Sequence, residues 1–178
     1  MLTVSRDDIG GTAFDRLVRE GLLHDVMGAS ALPADIRSTR ALREHLLRPL
    51  VPGHAWVTGL AALWLYGFAP PPPRIDLAGP RSVHHPLAAL DNPLLVYHGG
   101  SLDGLPPDAA FPRAATVTRA CLDALAHNPP SAALPATASA LRRRATSIRD
   151  LRRMVARMNA RKKGRNRVMG LVEALAEL

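Results

Sequence analysis

Apolar residues change their spacing along this chain, and each change marks an element. Phe14, Leu17 and Val18 fall three and four apart with Arg16 and Arg19 on the outer side, which predicts a helix capped by Thr12 and stopped by Gly21. Residues 22–27 and 31–33 read as two short strands around the small turn Gly28-Ala29-Ser30. A helix followed by a β-ribbon is the back half of a winged helix-turn-helix, with residues 1–11 ahead of it. Leu42, Leu46 and Leu47 predict a second helix over 38–47, with Arg40, Arg43 and Glu44 outward and Pro49 and Pro52 ending it.

A strand over 53–58 is expected next, with Thr58 as N-cap of a helix over 59–66 that Gly67 closes. That helix is apolar nearly all round, so it must be buried. After the prolines at 70–73, Arg74-Ile75-Asp76-Leu77-Ala78 alternates with period two like a half-exposed strand, and 94–98 is a further strand. Residues 79–93 between them are rich in turn formers. A helix over 117–126 carries Ala120, Cys121, Leu122 and Leu125 as its apolar positions, and a helix over 132–144 has Pro135 either in its first turn or breaking it. Ser147 and Asp150 have capping-box spacing and open a helix that runs to Gly164. Within it Ile148, Leu151, Met154, Val155 and Met158 share one arc of about 120°, while Arg149, Arg152, Arg153, Arg157 and Arg161 spread over the remainder. One face docks and the other presents guanidinium. A last helix over 168–178 packs Leu171, Leu175 and Leu178. The fold class is therefore α+β: a truncated winged-helix module over 1–48, a small mixed α/β core over 49–128, and C-terminal basic helices over 129–178.

Charge sharpens this picture. Of 23 Arg and Lys residues, twelve lie between Arg142 and Arg167 beside a single acid, Asp150. The remainder holds 11 basic against 14 acidic residues, so a block of +11 is joined to a body of −3. One dense run of a single sign creates a local field that attracts a polyanion, which makes nucleic acid the first partner to consider. A solvated helix face is the plain alternative. With 178 residues, 47% of them hydrophobic, the chain can bury a core. Its one cysteine, Cys121, excludes a disulfide framework and fits a reducing cytoplasm. The apolar run 55–69 is too short and too broken by glycine to span a bilayer, and no charged and apolar leader opens the sequence.

Catalytic chemistry has little support. Only His84 and His85 cluster among the seven histidines, and neighbours in sequence make no zinc face. There is no phosphate-binding glycine loop, no nucleophile elbow and no His-Glu-x-x-His helix. The two lysines, Lys162 and Lys163, follow no strand-borne acid pair, so a nuclease centre is not evident. No cofactor and no metal is expected. Aromatic residues are sparse, and Trp56, Trp64, Tyr66 and Phe68 fall in the buried segment, which argues for phosphate contact rather than base stacking.

Several segments together resemble a known family. Gly21-Leu22-Leu23-His24-Asp25-Val26 to Pro33, Pro52-Gly53-His54-Ala55-Trp56-Val57-Thr58-Gly59 with Ala61-Ala62 and Trp64 to Gly67, Ile75-Asp76-Leu77, and Arg119-Ala120-Cys121-Leu122-Asp123 occur in this order. Leu141-Arg142-Arg143 and Gly164-Arg165 close the series. In order and spacing they are similar to AbiEi-type antitoxin/transcriptional regulators of actinobacteria. The resemblance implies an N-terminal winged helix that binds the operon's own promoter and a following domain that contacts a nucleotidyltransferase-like toxin. Longer relatives add a restriction-like endonuclease domain after the last helix, for which this sequence has no counterpart. In the family the ribbon carries Arg, whereas His24-Asp25-Val26-Met27-Gly28-Ala29 here has neither Arg nor Lys. DNA affinity is then expected to lie in the C-terminal helices.

The expectation is a non-enzymatic, cytoplasmic protein that binds duplex DNA. Arg16 and Arg19 occupy the place of the recognition helix. Arg142, Arg143, Arg144, Arg149, Arg152, Arg153, Arg157, Arg161, Lys162, Lys163, Arg165 and Arg167 would meet phosphates, which set affinity and register without carrying base information. Two other classes fit the same charge: a protein-interaction module docking an acidic partner such as a toxin, and a binder of structured RNA.

Overall fold

The first helix of the chain is set by a serine. In the computed structural model, which describes residues 3–26, 30–79, 94–99, 103–158 and 164–177, strand β1 (Val4–Ser5) runs into helix α1 (Arg6–Ile9). Ser5 and Asp8 form a reciprocal capping box there, Asp8 N–H donating to Ser5 Oγ at 3.2 Å and Ser5 N–H to Asp8 Oδ2 at 2.8 Å. Helix α2 (Gly11–Arg19) follows directly. The expected cap, Thr12, instead lies inside the helix. Gly10 is the cap, because the turn between the two helices needs φ +78°, open to glycine at no steric cost. Strands β2 (Leu23–Val26) and β3 (Ser30–Pro33) make the expected ribbon, and β1 joins it to give an antiparallel sheet in the order β1-β3-β2. Met27, Gly28 and Ala29 lie outside the described residues.

The core is built on a second sheet. Helix α3 (Arg40–Leu47), capped by Thr39, leads to strand β4 (Trp56–Val57), helix α4 (Gly59–Leu65), strand β5 (Ile75–Gly79) and strand β6 (Leu95–Gly99). The sheet order is β4-β5-β6, with β4 antiparallel and β6 parallel to β5. Strand β5 is not half-exposed as its alternation suggested. Every residue in it is buried, because it is the central strand, paired on both edges and packed against α4. All seven residues of α4 are buried too, as its apolar sequence requires.

Four further helices follow among the described residues: α5 (Val117–His127), α6 (Pro130–Arg142), α7 (Ile148–Arg157) and α8 (Arg165–Ala176). Helix α6 begins two residues earlier than expected, with Pro130 in its first turn, and Pro135 lies inside it without breaking it. Helix α7 stops at Arg157 rather than running to Gly164, since its C-cap Met158 is already extended at ψ 139°. Gly164, in the left-handed region at φ +107°, is the N-cap of α8. The apolar arc of α7 is as expected: Leu151 and Val155 are buried, Ile148, Met154 and Met158 are half-buried, and Arg149, Arg152, Arg153 and Arg157 are exposed. In α8 the buried positions are Val168, Val172 and Leu175, with Leu171 half-buried and Leu178 outside the described residues. One apolar core joins Val26 and Leu32 of the ribbon to α4, β5, α5, α7 and α8. The fold class is α+β.

The two faces of α7 give a stability contrast. Leu151→Ala should cost about 2–4 kcal/mol by opening a cavity under α7, whereas Arg153→Ala should change stability by less than about 0.5 kcal/mol. Paired denaturant titrations measure both, and an unmoved midpoint for Leu151→Ala would contradict the packing.

Candidate nucleic-acid interface

The basic region opens at the end of α6, where the chain turns sharply. Ala145 N–H donates to Ala140 O at 3.0 Å and Arg144 N–H to Leu141 O at 2.9 Å, a Schellman closure that puts Arg144 at φ +56°. Glycine is the usual residue there, and an exposed arginine in that conformation is strained. The next residue but one, Thr146, is buried and its hydroxyl meets that of Thr118 on α5 at 2.8 Å. Ser147 Oγ then accepts from Asp150 N–H at 3.1 Å and donates to Asp150 Oδ2 at 2.6 Å, so the Asp150 carboxylate bonds the Ser147 hydroxyl. The turn is thereby anchored at one point and α7 leaves it with its arginines outward.

Not all of those arginines are equally available. Arg152 grips Glu173 of α8 through both ends of its fork, Nε to Oε1 at 2.9 Å and Nη2 to Oε2. That hydrogen bond holds the Glu173 carboxyl below its ordinary range and raises the Arg152 guanidinium. Arg153 Nη1 stands 3.5 Å from Asp150 Oδ1. Arg143 lies over the Phe68 ring and donates to Gly67 O at 3.4 Å. Arg142, Arg144, Arg149 and Arg157 are exposed and have no ion pair among the described residues. Arg165, half-buried, and Arg167, exposed, occupy the first turn of α8, where no side chain caps the free backbone N–H groups. Arg161, Lys162 and Lys163 lie outside the described residues.

At the other end of the chain, β1, α1, α2, β2 and β3 with sheet order β1-β3-β2 have the topology of a winged helix from its first strand onward. Arg6 clamps the two helices, its Nη2 2.5 Å from Asp15 Oδ1 and its guanidinium over Phe14. Arg16 and Arg19 are exposed on α2, with Glu20 3.7 Å from Arg16. The ribbon packs on two sides. Leu23 and Ala31 pack on Phe14, while Val26 and Leu32 on the opposite face enter the main core. Each face thus carries apolar contacts, with His24 and Asp25 left exposed between them.

Sequence reasoning missed a buried polar network between α4, α5 and the second sheet. Asp76, 1% exposed, receives Asn128 Nδ2 at 3.1 Å on Oδ2 and meets His98 Nε2 at 2.8 Å on Oδ1. The His98 ring stacks on His127 at 4.0 Å. Thr58 does not cap α4 with its side chain. Its hydroxyl donates to Asp123 Oδ2 at 2.6 Å, and Arg119 Nε donates to the same oxygen at 2.7 Å. Only the Arg119/Asp123 spacing of four, one helical turn, was visible in the sequence. Thr58, Asp76, Arg119 and Asp123 come from the Thr58-Gly59, Ile75-Asp76-Leu77 and Arg119 to Asp123 motifs, and they serve the core. Among the described residues no three His, Cys, Asp or Glu side chains converge to hold a metal ion. Burial pushes the Cys121 thiol up to about 12, far from a reactive thiolate.

No family model matches the chain, and no curated protein matches it. In its fold class, mixed α+β, the chain has a solved counterpart. It is similar to the crystal structure of RV2827C protein from Mycobacterium tuberculosis, with 14% sequence identity over 99% of this chain and 72% of that one and a TM-score of 0.51. At that identity the likeness is one of fold alone.

Arg144 separates a binding role from a structural one. Arg144→Gly should raise stability by about 1 kcal/mol, because glycine relieves the left-handed strain. If the guanidinium meets phosphate, the same variant should bind duplex DNA more weakly at low salt. Thermal melting and titration of one preparation give both numbers.

Proposed function

We propose that this chain is a non-enzymatic, duplex-DNA-binding regulator of the antitoxin-like class, working in the cytoplasm. The observation that carries the proposal is the second helix of the β1-α1-α2-β2-β3 unit, which holds Arg16 and Arg19 exposed where such a unit reads a major groove. Arg142, Arg144, Arg149, Arg157 and Arg167 support it from the other end as exposed phosphate contacts. No described helix is long and apolar enough to cross a membrane.

A second use of the same surface is docking on an acidic protein, a nucleotidyltransferase-type toxin in particular. It is favoured by the way Arg152 and Arg153 already take carboxylates, Glu173 and Asp150, as partners. Electrophoretic shifts with promoter DNA, structured RNA and random duplex as competitors separate these uses, since a protein-docking surface leaves all three unshifted.

If about five guanidinium groups meet phosphates, log K on duplex DNA should fall with log salt at a slope of roughly −4 to −5. A flat dependence would remove nucleic acid from the account.

Specificity should divide between the two ends. Removing Arg149 and Arg153 should weaken promoter and random duplex alike, because phosphate contacts carry no sequence information. Loss of Arg16 or Arg19 should instead narrow the gap between promoter and random DNA by about 1–3 kcal/mol where either reads a guanine edge. Affinities for both duplexes at one salt concentration test this. A wild type without preference for its promoter, or Arg16 and Arg19 variants that keep it, would exclude base reading by α2.

A further inference from the structure

A cavity of about 510 Å³ lies between the ribbon and the core. Its walls are the last turn of α2 at Val18, the ribbon at Leu32, the turn before α3 at Ile36 and the end of α4 at Trp64. The volume is within the range of small-molecule sites, and such sites favour seams between packed units. Neither the helices nor the sheets need this space for their own pairing.

Arg43 decides the chemistry the cavity can accept. Sequence spacing put it outward on α3, but it is half-buried, with Nε donating to Leu65 O at 3.1 Å and Nη1 to Ser38 O at 2.9 Å. Those carbonyls orient the fork without neutralising it. Among the described residues no carboxylate lies within ion-pairing distance of Arg43. Burial, with Arg40 nearby, lowers its hold on its proton, as expected of a cation kept from water without a counter-charge. Its Nη2 edge faces Gly67, where a Cβ would come within 3.3 Å, so glycine leaves that edge uncovered. His24 and Asp25 reach the cavity from exposed positions of β2, where solvent screens their charge.

We propose that this cavity binds a small amphipathic carboxylate, its chain against Val18, Leu32, Ile36 and Trp64 and its carboxylate on Arg43, and that occupancy fixes α2 against the core. A carboxylate supplies the missing counter-charge through charge-assisted hydrogen bonds, and its chain displaces water from apolar walls. An amine of the same length would meet a like charge.

The probes are octanoate, 1-octanol and octylamine, titrated into the full chain and followed by methyl NMR. Octanoate is expected to shift Val18, Leu32 and Ile36 saturably and to bind roughly ten-fold or more tightly than octylamine. Arg43→Gln should erase the preference for octanoate over octanol, and Ala69→Phe, which fills the cavity, should weaken both. Ile36→Trp fills it from another wall if Ala69→Phe does not fold. Hydrogen exchange of the α2 amides should slow at saturation. Equal binding of the three probes, or methyl shifts confined to other parts of the chain, would overturn the site. Unchanged α2 exchange at saturation would overturn its coupling to that helix. Neither readout involves DNA, so the outcome is independent of the proposed function.

Discussion

The carboxylate of Asp76 is the constraint around which the core is arranged. A carboxylate withdrawn from water costs several kcal/mol unless it is hydrogen-bonded and compensated, so its partners are not optional. They come from different places: His98 from β6, Asn128 from just beyond α5, and an empty position on α4. That position is Gly59, at φ +55°, where a Cβ would stand 2.7 Å from Asp76 Oδ2. Satisfying one side chain therefore sets β6 beside β5 and brings the start of α4 and the end of α5 to the same point.

From that point the arrangement passes outward to the arginines. Helix α4 is apolar on every side and must be enclosed, which β5 and α5 do. Its last carbonyl, Leu65 O, is met by Arg43 of α3, and the turn just beyond the helix is met by Arg143, which donates to Gly67 O. Helix α5 in turn holds the α6–α7 turn through Thr118 and Thr146. The direction in which α7 presents Arg149 and Arg157 is thus a consequence of core packing several contacts away. Two residues that look like surface charge in the sequence are part of that packing.

Patterns with a strong period were legible, and pairings across the fold were not. The apolar arc of α7, the enclosed α4 and the ribbon follow from spacing alone, because helix and strand periods differ and the apolar residues obey one or the other. Strand β5 misled because a buried polar residue, Asp76, gives a central strand the alternation of an edge. Thr58 misled because its hydroxyl has a competing acceptor in Asp123, 65 residues away, which local rules cannot see. Gly164 stops no helix because α7 has already ended at Met158, and glycine's left-handed conformation serves the start of an element as well as the end. Among the site residues, exposure of Arg16, Arg19 and the α7 arginines was readable from the helical arc. The pairings of Arg152 with Glu173, Arg153 with Asp150 and Arg143 with Gly67 were not.

Those pairings bear on how a basic block should be weighed. The sequence counts twelve positive residues between Arg142 and Arg167, but a guanidinium that already holds a carboxylate has little condensed anion to exchange and less to gain from a phosphate. Arg152 is the clear case, gripped at both ends of its fork, and Arg153 is a weaker one at 3.5 Å. Arg142, Arg144, Arg149, Arg157 and Arg167 are exposed and without ion pairs among the described residues. That set is five of the nine basic residues of the block that are described. The ribbon adds no positive charge: its buried residues pack on α2 and on the core, and its exposed β2 positions are His24 and Asp25. Positive residues therefore sit where the fold leaves a face open, on α2 at one end and on the α6–α7 turn, α7 and the start of α8 at the other.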